Sequence, residues 1–386
     1  MKNDFLAILM LLLLDILTTH TYAQHSWPIE PITIEHPIGN SFGELNQYYS
    51  YCLHTGVDIL GTPRFTSDDD NDEDPTAPWV CVTVSGTVSE VFFDDADTSE
   101  YHGLTIKDEY GRFYRYWHLE HRSFHSNFTV ADNNRKQVTA GDQIAKLVRF
   151  DINNDCEFHH LHYELQEDDN YHNPLASLTP HRDTNLPEIG GIFVAEDNSM
   201  AWSQFQEDSQ RACTIVNGKV DIIVKYRDRD DVGSTLRGTK TLGVYNLWWR
   251  ACPDSDPDCP WLNTRAFDNM NISWGPGGIK AVFKATSLYS IRPPFISDMD
   301  PYHCTSDTWL YAIVTNFSQD EPDPVGNWST TTVCDGNYTI SVKAIDFARN
   351  ETPPYSIKIC VQNGPKGPDC QGSPNSPKHL RTVAPN

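Results

Sequence analysis

Two stretches in the second half of the chain carry apolar residues at every second position. One reads Val-Asp-Ile-Ile-Val-Lys-Tyr over residues 220–226, and the other reads Tyr-Thr-Ile-Ser-Val-Lys-Ala over residues 338–344. Because successive strand residues point to opposite faces, this pattern is typical of half-buried antiparallel strands. The turn-forming pairs Asn217-Gly218 and Asp335-Gly336 precede them. The second half is therefore predicted to be rich in β-strands.

The first half contains two segments that also favour extended structure. Residues 158–165 hold leucine, tyrosine and flanking apolar residues that suit a strand. Alternate residues of a strand share a face, so His160 and His162 are expected to look into one cleft. Residues 55–57 combine two β-branched residues with a glycine, which disfavours helix. The polar residues that flank this segment are predicted to lie on a strand that enters a turn.

The amino terminus has the pattern of a signal peptide. Met1 and Lys2 lead into an apolar run over residues 5–17 that only Asp15 interrupts, and Ala23 suits signal-peptidase cleavage. The run is too short for a stable membrane span, and no later stretch is apolar enough. We expect residues 1–23 to be removed and the mature chain to be secreted or to reside in the periplasm or cell envelope, without stable membrane insertion.

The chain has 386 residues, which is long enough for two domains with separate cores. A Pro- and Gly-containing linker is predicted at residues 182–191, between a domain at 24–185 and a domain at 190–363. The segment 335–350 resembles the final strands of immunoglobulin-like domains, so the second domain is expected to be an immunoglobulin-like β-sandwich. Residues 364–386 are predicted to be a disordered tail. The predicted fold class is mainly β.

The overall charge limits the possible partners. Acidic residues number 53 and basic residues 29, which gives a formal net charge of -24. Nucleic acid and anionic membrane surfaces both require basic patches, so neither is expected as a partner. Oligomeric state has no visible signature in the sequence.

The chain contains 10 cysteines, which in an exported protein favours disulfides over thiolate metal ligands. Cys252 and Cys259 are predicted to close a local loop. Each half holds an odd number of cysteines, so either one disulfide joins the halves or each half keeps a free thiol.

Histidines and an aspartate in the first half have the composition of a zinc site. A catalytic zinc uses three protein ligands and leaves the fourth position to water. His54 and Asp58, which flank residues 55–57, and one member of the His160 and His162 pair supply them. Either pattern alone is expected about once by chance in a chain this rich in histidine. The prediction depends on their occurrence together and in order.

The residues around these positions extend the pattern. They read Leu-His-Thr-Gly-Val-Asp-Ile at 53–59, Tyr-Trp-His-Leu at 116–119 and His-Leu-His-Tyr-Glu at 160–164, with Ser-Phe-Gly at 41–43 and Gly-Asp-Gln-Ile at 141–144. Over residues 36–180 the chain thus resembles the lysostaphin-like zinc metallopeptidases, peptidase family M23.

The resemblance implies roles for individual residues. Zinc is bound by His54, Asp58 and His162. His118 and His160 handle protons beside the metal, and His159 points away from it. An imidazole whose pKa is near neutrality can take a proton from zinc-activated water and return it to the leaving amine. Glu164 either orients a neighbouring histidine or is a solvated or structural residue.

Three departures from the family pattern concern the walls of the expected cleft. Glu44-Leu45 stands where the family commonly has an arginine. Residues 151–159 replace a glycine-rich approach, and an acidic loop at residues 66–74 is unusually long. That loop lacks the spacing of an EF-hand, so a solvated charge run is expected there rather than a calcium site.

Two function classes are consistent with these features. The first is a secreted zinc endopeptidase that cuts peptide bonds in peptidoglycan cross-links, the substrate class that the resemblance implies, or in another extracellular peptide. The second is a zinc-containing extracellular binding module without catalytic activity. Proton-handling histidines at positions 118 and 160 favour the enzyme, because a binding module has no need of them.

Overall fold

The computed structural model describes residues 24–42, 45–46, 52–61, 77–92, 102–124, 128, 136–148, 160–197, 202–203, 213–229, 241–264, 269–271, 309–315, 317–318, 321–322 and 326–364. In these residues the secondary structure is mainly β, which confirms the predicted fold class. No helix in this part of the chain has the length and apolar character needed to cross a bilayer.

The first half contributes twelve described strands. They are β1 (Ile38–Asn40), β2 (Leu45–Asn46), β3 (Cys52–Leu53), β4 (Val57–Leu60), β5 (Trp79–Cys81), β6 (Gly86–Phe92), β7 (Gly103–Lys107), β8 (Phe113–Trp117), β9 (Gln137–Val138), β10 (Gln143–Lys146), β11 (His160–Glu167) and β12 (Asn170–His172). Short 3-10 helices occur at His121–Ser123 and Pro174–Ala176.

The second half contributes the remaining described strands. They are β13 (Glu188–Glu196), β14 (Trp202–Ser203), β15 (Thr214–Val216), β16 (Lys219–Arg229), β17 (Thr241–Leu242), β18 (Asn246–Pro253), β19 (Leu262–Thr264), β20 (Asn269–Asn271), β21 (Leu310–Ile313), β22 (Phe317–Ser318), β23 (Glu321–Pro322), β24 (Trp328–Ser329), β25 (Gly336–Ile345) and β26 (Tyr355–Val361). One 3-10 helix lies at Thr330–Thr332.

The large sheet of the first half has the strand order β1-β4-β11-β8-β7-β6-β9. Its neighbours are antiparallel. One face is packed into a hydrophobic core, to which the central strands contribute Val57, Ile59, Tyr114, Tyr116, Leu161 and Tyr163. Because side chains alternate along each strand, the residues between these positions lie on the other face.

The second half contains two sheets that share one core. One has the order β14-β13-β16-β17, with β21 and β24 also paired to β16, and the other has the order β15-β26-β25-β18-β19. Ile222 and Val224 from the first of these sheets and Leu247, Ile340 and Val342 from the second belong to one buried cluster. The two sheets therefore pack face to face.

The strands predicted from alternation are confirmed. Residues 220–226 lie in β16 and residues 338–344 lie in β25. Gly218 and Gly336, the glycines of the predicted turns, have φ angles of 71° and 151°. Glycine adopts these conformations without the steric cost of a side chain.

Two expected boundaries differ from the structure. His54 lies in the connection between β3 and β4, and Asp58 lies inside β4. The pair therefore sits on a bend that enters a strand, the reverse of the expected order, because the chain bends at Gly56 before β4 begins. Strand β13 begins at Glu188, inside the segment predicted to be a linker.

Two disulfides link described cysteines, Cys213 with Cys360 and Cys252 with Cys259. The second closes the local loop predicted from the sequence. Cys81 is a buried free thiol. The predicted signal peptide, the acidic loop at 66–74, His159 and the tail from residue 365 lie outside the described residues.

Candidate metal centre

The register between β4 and β11 sets the position of the central pair of ligands. The two strands are antiparallel, and His162 lies directly opposite Asp58. Directly opposed residues of antiparallel strands share a face, so both side chains lie on the face away from the core. His160 is two residues earlier on β11 and shares that face, as predicted.

Gly56 allows the turn that carries His54 to approach β11 closely. A Cβ atom added to Gly56 would lie 2.4 Å from the carbonyl oxygen of Tyr163. Only glycine fits such a separation without moving the backbone. The turn therefore brings His54 over the strand pair that holds Asp58 and His162.

Three ligand atoms converge at this point. His54 Nε2 lies 3.1 Å from Asp58 Oδ1 and 2.9 Å from His162 Nδ1, and His162 Nδ1 lies 2.9 Å from Asp58 Oδ1. Zinc–nitrogen bonds of about 2.0–2.1 Å in a tetrahedron imply ligand separations of about 3.3 Å. The three atoms are thus close to the spacing that zinc requires, and two nitrogens with one carboxylate oxygen suit it chemically.

The outer nitrogens of both rings have acceptors. His54 Nδ1 lies 3.1 Å from the carbonyl oxygen of Ser41, and His162 Nε2 lies 3.1 Å from Glu164 Oε1. A carbonyl or carboxylate oxygen can only accept, so each of these nitrogens carries the proton. In the neutral rings that bind a metal, the lone pairs are then at His54 Nε2 and His162 Nδ1 and are directed at the shared centre, so the residues fit a bound zinc ion.

The carboxylates around this centre favour positive charge. Burial raises the pKa of Asp58, but His54, His160 and His162 outweigh it and hold the pKa well below its usual value. Burial likewise opposes the ionised form of Glu164, yet contact with His162 lowers its pKa to about 2. Burial lowers the pKa of His162, while its hydrogen bonds to Asp58 and Glu164 outweigh this and raise it to about 10. A divalent cation would supply the positive charge that these carboxylates favour.

His118 and His160 form a ring pair beside the three ligands. Their centroids are 4.5 Å apart, and His160 Nε2 lies 4.0 Å from Asp58 Oδ1. Both residues are buried. Burial, followed by the neighbouring His118, lowers the pKa of His160 well below its usual value. The His160 ring is therefore neutral near pH 7, the form that accepts a proton.

The backbone of His118 is unusual. This residue follows the end of β8 and has a φ angle of 65°, a region that residues other than glycine rarely adopt. Its carbonyl oxygen accepts a hydrogen bond from Val148 N at 3.0 Å. The chain thus leaves the strand at this point and places the imidazole against His160. Such backbone outliers are concentrated at functional sites.

The structure brings together all five residues singled out from the sequence, His54, Asp58, His118, His160 and His162. Sequence reasoning missed the carbonyl of Ser41, which has no side-chain signature. It also missed Thr55 and Arg115, which contact Glu164. A second group, Asp183, Asp228 and Asp346, also places ligand-type atoms within 4.8 Å of one another and was not predicted.

Comparisons with known proteins give limited similarity. No protein-family model matches the chain, and no curated protein matches it significantly. Among solved structures, the SpoIIQ–SpoIIIAH pore-forming complex matches with a TM-score of 0.28 and 16% identity, over 40% of this chain and 91% of that chain.

Two peptidase structures match over smaller shares of their length. A proposed glycyl-glycine endopeptidase of Ruminococcus gnavus has a TM-score of 0.19 and 19% identity, over 29% of this chain and 39% of that chain. A zinc-containing peptidase of Vibrio cholerae has a TM-score of 0.23 and 19% identity, over 34% of this chain and 33% of that chain. TM-scores this low carry no functional inference, so function must be inferred from the geometry of the site.

Proposed function

We propose that this protein is an exported zinc metalloendopeptidase of the M23 type that hydrolyses peptide bonds in peptidoglycan cross-links. The observation that carries the proposal is the convergence of His54 Nε2, Asp58 Oδ1 and His162 Nδ1 beside the His118 and His160 rings. The resemblance of the sequence to family M23 supports the class of substrate.

Zinc bound at this site would polarise the scissile carbonyl and make a coordinated water more acidic. His54, Asp58 and His162 would hold the ion. The cleft face of the sheet is left for the substrate, because the opposite face is packed into the core. Hydrolysis also needs groups that move protons, and these are supplied from β8 and β11.

His160 and His118 are the proton-handling groups in this proposal. The neutral His160 ring can accept a proton from the attacking water, and the adjacent His118 can carry a proton to the leaving amine. The short distance between the rings supports a shared role. A binding module that only held zinc would not require a buried imidazole pair next to the ligands.

The second half has a different proposed role. We propose that residues 190–363 form an immunoglobulin-like β-sandwich that targets the enzyme to its substrate or limits access to the cleft. The two sheets that share one core support a sandwich. The proposal assigns no part of the hydrolytic chemistry to this half.

Digestion of purified cell walls tests the proposed activity. The full mature protein, loaded with zinc, would be incubated with walls of several cross-link types and with extracellular peptides, and new amino termini would be identified by mass spectrometry. We expect discrete cleavage sites that disappear with a chelator and in the His162→Ala variant. Stoichiometric zinc without cleavage of any substrate would instead establish a non-catalytic zinc-binding module.

A further inference from the structure

We infer that Glu164 is a positioning residue that selects the nitrogen through which His162 binds the metal. The inference rests on the proposed zinc site and deepens it, because it concerns how one ligand is oriented. Glu164 and His162 are separated by one residue on β11 and lie on the same face of the sheet. From the sequence alone, Glu164 was expected either to have this role or to be a solvated or structural residue.

The contact between the two side chains determines the tautomer of the ring. His162 Nε2 lies 3.1 Å from Glu164 Oε1, while Nδ1 faces Asp58 Oδ1 at 2.9 Å. A neutral imidazole has one N–H group and one lone pair. With the N–H group donated to Glu164, the lone pair is at Nδ1, where the His54 and Asp58 ligand atoms also converge.

Glu164 is itself held from two sides. The hydroxyl of Thr55 donates to Oε1, and Arg115 Nη1 lies 3.5 Å from Oε2. Arg115 lies directly opposite Glu164 in the register of β8 and β11. Both carboxylate oxygens are thus engaged, so the carboxylate has little freedom to rotate away from the imidazole.

Thr55 connects two of the proposed ligands. It is the residue after His54, so it lies in the turn that carries one ligand and contacts the carboxylate that orients another. The Glu164 side chain is only 9% exposed, which argues against a solvated surface residue. A purely structural carboxylate would affect folding but would not control which nitrogen faces the metal.

Removal of the carboxylate should weaken zinc binding without removing a ligand. In a chelator competition assay on the full chain, Glu164→Ala should lower zinc affinity about 10- to 100-fold, the range found for partners that orient metal-binding histidines. Glu164→Gln should have an intermediate effect, because its amide can donate or accept. Imidazole nitrogen shifts in NMR spectra of the zinc-loaded protein should show His162 bound through Nδ1, with Nε2 protonated, in the wild type and a mixture of Nδ1 and Nε2 binding in the variants.

Glu90→Gln is the matched control. Glu90 is exposed and lies in the same cross-strand row as Glu164, linked through Arg115 and Thr105. This variant removes a carboxylate from the same sheet, and its zinc affinity should stay within about twofold of the wild type, since nothing joins it to the ring. Thr55→Val keeps Glu164 but removes its hydroxyl donor, so it should lower zinc affinity by less than Glu164→Ala does. If Glu164→Ala does not fold, Thr55→Val tests the positioning role in its place.

The outcomes separate this inference from the proposed function. Wild-type affinity and an unchanged His162 tautomer in both Glu164 variants would overturn the positioning role while leaving the zinc site intact. A wild-type protein that binds no zinc would overturn the proposed function, and the positioning role with it. Zinc binding that depends on Glu164, in a protein that cleaves no peptide, would support the positioning role and contradict the enzymatic one.

Discussion

Asp58 and His162 face each other across two antiparallel strands, with Asp58 Oδ1 2.9 Å from His162 Nδ1. The strand register produces this contact. A slip of one residue between β4 and β11 would turn one of the two side chains toward the core, because side chains alternate along a strand. The proposed metal site therefore depends on the same pairing that builds the sheet.

The ligand assignment predicts the behaviour of a single variant. His162→Ala removes one of three converging ligand atoms, so we expect loss of both zinc retention and hydrolysis. Metal analysis of the purified protein measures the first, and cleavage of wall fragments measures the second. His159→Ala is the adjacent control, since His159 is predicted to point away from the metal and its variant should keep zinc. Full zinc occupancy in His162→Ala would show that the ligand set is wrong.

The proton-handling pair predicts that chemistry and metal binding can be separated. His118→Ala and His160→Ala should each retain zinc but lose about a hundredfold to ten-thousandfold in turnover, the usual contribution of a general acid or base. Steady-state kinetics, corrected for zinc content, is the measurement. If both variants hydrolyse substrate at nearly the normal rate, these histidines do not move the protons.

Gly56 is predicted to be required for both stability and metal affinity. An alanine Cβ would meet the Tyr163 carbonyl oxygen at 2.4 Å, so β4 and β11 would have to separate. We expect Gly56→Ala to lower the free energy of unfolding by about 1–3 kcal/mol, as overpacked sites do, and to weaken zinc binding. In Gly191→Ala the added atom lies 3.5 Å from the Phe193 ring, which is an ordinary contact. This control should keep the free energy of unfolding of the wild type. Equal stability of the two variants would contradict the close approach.

The convergence of these five side chains could be predicted because their signals are local. His160 and His162 alternate on one strand, and His54 and Asp58 stand in a short segment that matches the M23 pattern. The exact placement of His54 was less predictable. Two β-branched residues favoured a strand, whereas Gly56 allowed a turn before Asp58, and the approach of the Tyr163 carbonyl that requires this glycine is a tertiary contact.

The partners of the ligands could not be predicted for a related reason. Ser41 contributes a backbone carbonyl, which any residue type could supply. Arg115 reaches Glu164 only because β8 pairs with β11 in one particular register. Such contacts depend on how distant strands align, and the local sequence pattern contains no information on that alignment.

The contact between His181 and Glu35 predicts a pH dependence of stability. Burial lowers the pKa of His181, but Glu35 Oε1, 3.2 Å from its Nδ1, outweighs burial and raises the pKa above 6.5. A group whose pKa is raised on folding stabilises the folded state fully below its unfolded pKa, and this contribution is lost as pH rises through the folded pKa. Wild type should therefore lose stability relative to His181→Gln as the pH rises from about 6.5, the pKa of an unfolded histidine, through the raised pKa of the folded state.

Denaturant unfolding at several pH values measures this difference, which should amount to about 1 kcal/mol at about pH 6. Glu35→Gln removes the carboxylate of the His181–Glu35 pair and should abolish the same dependence of stability on pH. A constant difference between wild type and His181→Gln over this range would show that the ion pair does not form.

The two halves of the chain are in contact near the metal site. Gly243 N donates to Ser41 Oγ at 2.9 Å, and the carbonyl of Ser41 accepts from His54. Asn350 Nδ2 donates to the carbonyl oxygen of Asp183 at 3.0 Å. Strand β20 also pairs with β12 at the edge of the large sheet. The second half therefore supports the region that holds His54, a proposed zinc ligand.

Residues 24–185, produced alone, should still fold and retain hydrolytic chemistry, because they include the large sheet with its own core and all five site residues. We expect lower zinc affinity and lower thermal stability than in the full chain, since the hydrogen bond from Gly243 to Ser41 and the β12–β20 pairing are lost. Ser41→Ala in the full chain is the matched comparison, because it removes only the hydroxyl acceptor and should account for part of the loss in zinc affinity. Both disulfides between described cysteines lie within the second half, so truncation breaks neither. An insoluble fragment, together with a disulfide between the halves found by non-reducing peptide mapping, would contradict independent folding of the first half.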